Sequence, residues 1–239
     1  MRKSILTLVV FLIGTLAVSA QWSSAGDGTG YNNTSANTSK RVIGFYRVGG
    51  SLSFNTLSGN YFDKNASGKV TGAINLARLG FFLGKNSPIY LGFGWDLPFK
   101  GWKEEVEING RTFTTNYNGV GYRFPIFVGY QYPITQDFKV YGHTGPSFDV
   151  DFGYWGSVEY DGEKEDISYE DLVDTFRVLN GSWMFSAGIT YKKLYVGLEY
   201  ALPFKDIFDY EYVDESIKGK IGTFNICLGL NFDIKVKRK

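Results

Sequence analysis

Only one histidine, His143, stands in the 239 residues of this chain. It is the one side chain whose ordinary pKa lies near neutrality, and so the one ready acid or base. Ser147 follows four residues later. Residues four apart share a face of an extended strand, so a base and a hydroxyl lie on one side, as a nucleophilic site requires. The plainer reading is a histidine held in a polar interior network. Cys227 is the only cysteine. One His and one Cys cannot build a zinc site, and one Cys closes no intramolecular disulfide. No catalytic residue, metal ligand or cofactor is assigned. A stretch from about 151 to 181 holds Glu159, Asp161, Glu163, Glu165, Asp166, Glu170, Asp171 and Asp174 against Lys164 and Arg177. Clustered carboxylates can hold Ca²⁺ or Mg²⁺. The spacing does not fit an EF-hand, and a solvated acidic loop is the preferred reading. Trp102, Tyr154, Trp155 and Tyr169 lie in polar stretches, where exposed rings would form an adhesive surface.

A second set of charged residues is spaced by the period of a strand. Arg47, Arg78, Asp96, Arg123, Lys139, His143, Asp149, Glu199 and Asp233 each interrupt a segment in which apolar and small or polar residues alternate. The last segment is the clearest. Phe224, Ile226, Leu228, Leu230, Phe232 and Ile234 form one face, and Thr223, Asn225, Cys227, Gly229, Asn231 and Asp233 the other. Side chains alternate across a strand. One face is therefore greasy, and it faces either a soluble core or lipid.

Eight such segments can be read: Ile43 to Phe54, Lys69 to Leu83, Ile89 to Leu97, Val120 to Tyr132, Phe138 to Val150, Ser182 to Tyr191, Leu194 to Leu202 and Ile221 to Ile234. In the second the alternation slips, and a bulge near Ala77 would turn Arg78 inward. Pro98 and Pro203 end their strands. The connections alternate long and short. That is what a barrel with periplasmic termini, short periplasmic turns and long extracellular loops requires. Tyr130, Tyr132 and Tyr191 fall near short turns, and Trp95, Phe99, Tyr200 and Phe204 near long loops, as two interfacial girdles would. The predicted fold is all-β: an eight-stranded antiparallel transmembrane β-barrel over 42–234.

The flanks fit export. Residues 1–20 have a positive start, an apolar run and a small-residue end at Val18-Ser19-Ala20, the pattern of a cleaved signal peptide. Residues 21–41 read as a flexible leader and 235–239 as a basic periplasmic tail. A formal charge of +1 supplies no basic field for nucleic acid. Thirty Gly and 42 aromatic residues (20 Phe, 17 Tyr, 5 Trp) suit closely spaced strands.

With Gly229, Phe232 and Ile234 spaced as an assembly signal, residues 42–234 resemble the small eight-stranded outer-membrane barrels of the OmpA/OmpX type and their porin-like relatives. The resemblance implies a monomer in the bacterial outer membrane, in contact with its lipids and with the barrel-assembly machinery. It implies a non-enzymatic structural or surface-interaction role, with an unidentified extracellular ligand of the loops as partner. A small porin-like channel is the first alternative. A lipid A-modifying enzyme is the second. Some such barrels carry a close His-x-Ser pair, whereas residue 145 here is Gly. Eight strands leave a lumen that side chains fill. The inward charges should therefore pair in a structural network.

Overall fold

The computed structural model describes residues 40–62, 65–84, 87–168, 172, 176, 178–208 and 216–237. The expected signal peptide and nearly all of the expected leader lie outside them. Among the described residues there are ten strands: β1 (Lys40–Ser58), β2 (Ser67–Gly68), β3 (Val70–Phe82), β4 (Ile89–Ile108), β5 (Arg111–Pro133), β6 (Phe138–Tyr160), β7 (Glu163–Ile167), β8 (Leu179–Tyr191), β9 (Leu194–Pro203) and β10 (Lys220–Lys237). Eight of them close a ring. β1 pairs with β3, β3 with β4, β4 with β5, β5 with β6, β6 with β8, β8 with β9, β9 with β10, and β10 returns to β1, every pair antiparallel. Closure leaves no unpaired edge around the ring, as hydrocarbon demands.

Alternation sets the two faces. Leu91, Phe93 and Trp95 on β4, Ile126 and Val128 on β5, and Leu194, Val196 and Leu198 on β9 are exposed. Between them Asp96, Arg123 and Glu199 are buried. On the last strand Ile226 and Leu228 are exposed, and Phe224, Leu230, Phe232 and Ile234 are half-buried. Exposed aliphatic residues around a closed barrel, with charges inside it, invert the layout of a soluble barrel. This is the architecture of an outer-membrane protein. The register slips between Asn75 and Ala77 where β3 meets β4, and Arg78 lies inside.

Three expectations about extent are corrected. Pro98 does not end its strand. It pairs with Ala73 on β3, while the β4–β5 register passes over Leu97 and Pro98, so the missing N–H disturbs one side only. β4 and β5 then continue into a hairpin closed by Asn109 and Gly110, both at positive φ. What reads as a long polar loop is therefore a two-residue turn on tall strands. β6 likewise runs on to Tyr160 and turns through Asp161 and Gly162, again at positive φ, into β7. Finally, Lys40 pairs with Lys237 and Val42 with Lys235. Residues 40–41 and 235–237 are thus strand rather than leader and tail.

The structure therefore has two storeys. Eight strands form the membrane barrel. Above it, β4, β5, β6 and β7 continue as a sheet on the side of the long connections, with the two-residue β2 paired to β4 at Trp102 and Lys103.

Candidate functional site: a filled lumen beneath an aromatic cap

The lumen is organised in layers. Next to the short turns, Phe45, Tyr90 and Phe127 pack together with Phe82 against them. Room for these rings comes from glycines across the wall. A Cβ on Gly129 would lie 2.3 Å from the Tyr90 ring, and one on Gly92 would lie 2.1 Å from the Phe127 ring, distances no side chain tolerates. His143 stacks on Phe127 with centroids 4.5 Å apart, and its Nδ1 lies 3.2 Å from the Tyr90 hydroxyl. Lys139 reaches Asp233 at 3.3 Å.

Arg47 occupies the next layer. Its Nε donates to Asn231 Oδ1 at 2.8 Å and its Nη2 to Gln131 Oε1 at 3.3 Å. The guanidinium lies 3.8 Å from the centroid of Tyr141 and 4.3 Å from that of Phe45. It is held by amides and by π faces rather than in a carboxylate salt bridge. In mid-lumen Arg78 is clasped between Asp96 and Glu199. Asn75 donates to Asp96 at 2.9 Å, and Asn225 to Glu199 at 3.2 Å. Nearer the long connections Arg123 binds Asp149 through two hydrogen bonds of 2.9 Å. Lys100 lies 3.2 Å from Asp149 and 2.8 Å from Asp151. Asp151 also accepts from Tyr154 at 3.0 Å and from Asn180 at 2.7 Å.

All seven residues expected in the network face the lumen: Arg47, Arg78, Asp96, Arg123, His143 and Glu199 are buried, and Asp233 is half-buried at the rim. Lys100 and Asp151 were missed. The signal was present, since Lys100 has the parity of Asp96, and Asp151 that of Asp149. Reading Pro98 and Val150 as strand ends placed both in loops. With them, the cations Arg47, Arg78, Lys100, Arg123 and Lys139 face the carboxylates Asp96, Asp149, Asp151, Glu199 and Asp233. A buried ion is tolerated when paired and hydrogen-bonded, and each of these carboxylates meets that condition.

The nucleophile reading has no support in this geometry. Ser147 Oγ is 2.6 Å from Ser182 Oγ, and the hydrogen-bonding partner of His143 is Tyr90.

A different cluster closes the outer mouth. Trp102, Tyr154, Leu172, Phe176, Ile207 and Phe208 form a buried core, with Tyr61, Phe62, Tyr117 and Ile167 packed against it. Trp102 stacks on Tyr117 with centroids 4.7 Å apart and meets Phe176 edge-on at 5.3 Å. Trp102 and Tyr154 are therefore not adhesive rings. Their apolar bodies are drawn into a core that four connections share, and of the expected loop aromatics Trp155 is the one seen exposed. Tyr169 lies outside the described residues. Glu104 ties the cap together by accepting from Trp102 Nε1 at 2.9 Å and from Tyr61 at 3.3 Å. Burial raises its carboxyl above the usual carboxylate range, opposed by those two hydrogen bonds. Burial pushes the Tyr61 hydroxyl up too. In the acidic stretch Glu163, Glu165 and Asp166 are exposed on β7. Glu170, Asp171 and Asp174 lie outside the described residues.

No family model matches the chain, and no curated protein matches it in sequence. Among solved structures it is similar to Ail, the attachment invasion locus protein of Yersinia pestis, at 12% identity over 80% of this chain and 99% of that one, with a TM-score of 0.36. It is similar to Neisserial surface protein A at 12% identity over 80% and 97%, with a TM-score of 0.37. It is similar to outer membrane protein OprG from Pseudomonas aeruginosa at 11% identity over 83% and 100%, with a TM-score of 0.38. The strand register and the outward apolar belt carry the assignment by themselves: this chain is an eight-stranded antiparallel β-barrel of the membrane-spanning kind.

Proposed function

We propose that the protein is a non-enzymatic display barrel, whose membrane part anchors a rigid extracellular sheet for interaction outside the cell. The observation that carries this reading is the division of labour between the storeys. From the Phe45–Tyr90–Phe127 cluster to the Trp102 cap, each layer of the lumen is occupied by side chains that pair with one another. The exposed, irregularly charged surface is concentrated on β4–β7 above the cap. A scaffold built for passage would keep an open axis. One built for display needs a stiff wall, and paired side chains across a narrow lumen stiffen it.

Two measurements test the reading together. In planar bilayers the purified protein is expected to give no unit conductance. Thr112, exposed on the tall hairpin, becomes a reporter as Thr112→Cys, because the native Cys227 is buried. An impermeant maleimide should label this variant on intact cells. Reproducible conductance steps that change in Arg123→Ala or Glu199→Gln would replace display with the small-channel reading. Failure to label intact cells would place the hairpin on the wrong side and end the proposal.

A further inference from the structure

The sheet above the cap carries an apolar face whose upper part is partly open among the described residues. The face that holds Trp102 continues along β4 to Val106 and Ile108, 48% and 51% exposed. Val106 pairs with Phe113 on β5. The Phe113 ring stacks on Tyr160 of β6, centroids 4.6 Å apart and planes 15° from parallel. Val158 lies beside them, opposite Thr115. The lower half of this face is the cap core; in the upper half, an apolar strip, Val106 and Ile108 are exposed, and Phe113, Val158 and Tyr160 are half-buried.

The surroundings of the strip are strongly acidic. Residues 103–112 and 158–167 hold eight carboxylates across both faces of the sheet, Glu105 and Glu107 on the outer face and Glu163 and Glu165 on the face of the strip, against Lys103, Arg111 and Lys164. The whole chain is +1, so the negative charge is a local property of the sheet tip. Glu163 and Glu165 stand on β7 with the parity of Ile167, which faces the cap core. They therefore flank the strip on its own side. One cation, Arg111, lies over Tyr160 with its guanidinium 5.3 Å from the ring centroid, so the strip already accommodates a cation against an aromatic face.

We infer that the Val106–Ile108–Phe113–Val158–Tyr160 strip docks a polypeptide segment that alternates basic and aliphatic side chains. This rests on the display reading and names the partner's chemistry. Aliphatic groups would cover the strip, and basic groups would meet the flanking carboxylates and speed encounter. A second copy of this chain is the wrong occupant, because two acidic tips would be brought face to face. Anionic lipid or polysaccharide is repelled by the same charges.

The test uses the full chain in nanodiscs of zwitterionic lipid, with empty discs as blank. The probe is a short fluorescent peptide of alternating Lys and Leu. Lys–Ser and Glu–Leu peptides of equal length supply charge alone and apolar surface alone. The Lys–Leu peptide is expected to bind at least about tenfold tighter than either control. V106S/I108S and E163Q/E165Q should each weaken it by about tenfold. These are surface positions, and the same difference in SDS mobility between unheated and boiled samples as the unsubstituted chain shows verifies that the variants fold. Equal binding of all three peptides, or Lys–Leu binding unchanged in both variants, overturns the inference. Sedimentation as a dimer that I108S abolishes also overturns it, since the strip would then be covered by a second copy. Labelling of Thr112→Cys separates the two failures. If it succeeds and the peptide does not bind, the docking inference alone fails. If it fails, both fall.

Discussion

Between Trp95 and Glu105 one strand passes through both storeys, and its polarity reverses on the way. Below, the outward residues of β4 are Leu91, Phe93 and Trp95, and the inward ones are Asp96 and Lys100. Above, the inward residue is Trp102 and the outward ones are Lys103, Glu105 and Glu107. β5 repeats the change, from Ile126 outside and Arg123 inside to Asn116 and Asn118 outside and Tyr117 inside. Along β4 and β5 the strand and its parity are unchanged, and only β6 shifts register, at Phe152. What differs is the solvent. In lipid the apolar face gains by pointing out, and the polar groups must satisfy one another within. In water the apolar face is driven inward, and the aromatic cap forms. The storeys are thus held by different forces, and substitutions can be chosen to separate them.

The largest effect is expected in the lumen. Arg78→Ala leaves Asp96 and Glu199 buried without their cation, a loss on the order of 3–5 kcal/mol. Urea titration of the protein refolded in liposomes should show it as a lowered midpoint, and cold-SDS resistance should weaken. A sharper version is Arg78→Met with Asp96→Asn and Glu199→Gln. Removing all the charges together should restore most of the midpoint, and a triple variant no better than Arg78→Ala would contradict an electrostatic origin. Next comes the cap. Trp102→Ala should cost about 3–5 kcal/mol of packing, but only in the upper storey. Limited proteolysis should cut the tall hairpin while the SDS-resistant barrel persists. If the barrel melts as well, the two storeys are one cooperative unit.

A smaller change is expected at the hairpin tip. Gly110 sits at φ +75 with open space around its Cβ position. Gly110→Ala therefore costs conformational strain alone, about 1–2 kcal/mol, visible as faster amide exchange confined to Ile108 to Arg111. The smallest effect concerns pH. Burial raises the Glu104 carboxyl above its unfolded value. Its contribution to the cap is then fully present below the unfolded carboxylate pKa and is lost as pH rises through the folded one. Protease sensitivity of the hairpin should increase across that interval, and Glu104→Gln should flatten the profile. A profile that runs the other way would show that the Trp102 and Tyr61 hydrogen bonds outweigh burial.

The same comparison explains what could be read from the chain. In lipid the period of two prevails along each strand, so the eight membrane strands and the inward charges were legible. So was the bulge that turns Arg78 inside. Above the membrane the rule reverses its sign in mid-strand. Val106, Ile108, Phe113 and Tyr117 still alternate with polar residues, but with polarity opposite to that below, and Pro98 disguised the continuity. Asn109-Gly110 and Asp161-Gly162 are strong hairpin signals that would have revealed β4–β5 and β6–β7. Leu172 and Phe176 come from a stretch with no period. Their place in the cap follows from tertiary packing, which a local pattern does not encode.

The balance of cations and carboxylates across the lumen has an electrical consequence. An uncompensated charge carried through a membrane is worth about 2.3 kcal/mol for each 100 mV across it. Here Arg47, Arg78, Lys100, Arg123 and Lys139 are matched by Asp96, Asp149, Asp151, Glu199 and Asp233. A potential across the bilayer therefore pulls the two kinds of charge in opposite directions, and the contacts of Arg78, Lys100, Arg123 and Lys139 with their carboxylates resist that separation.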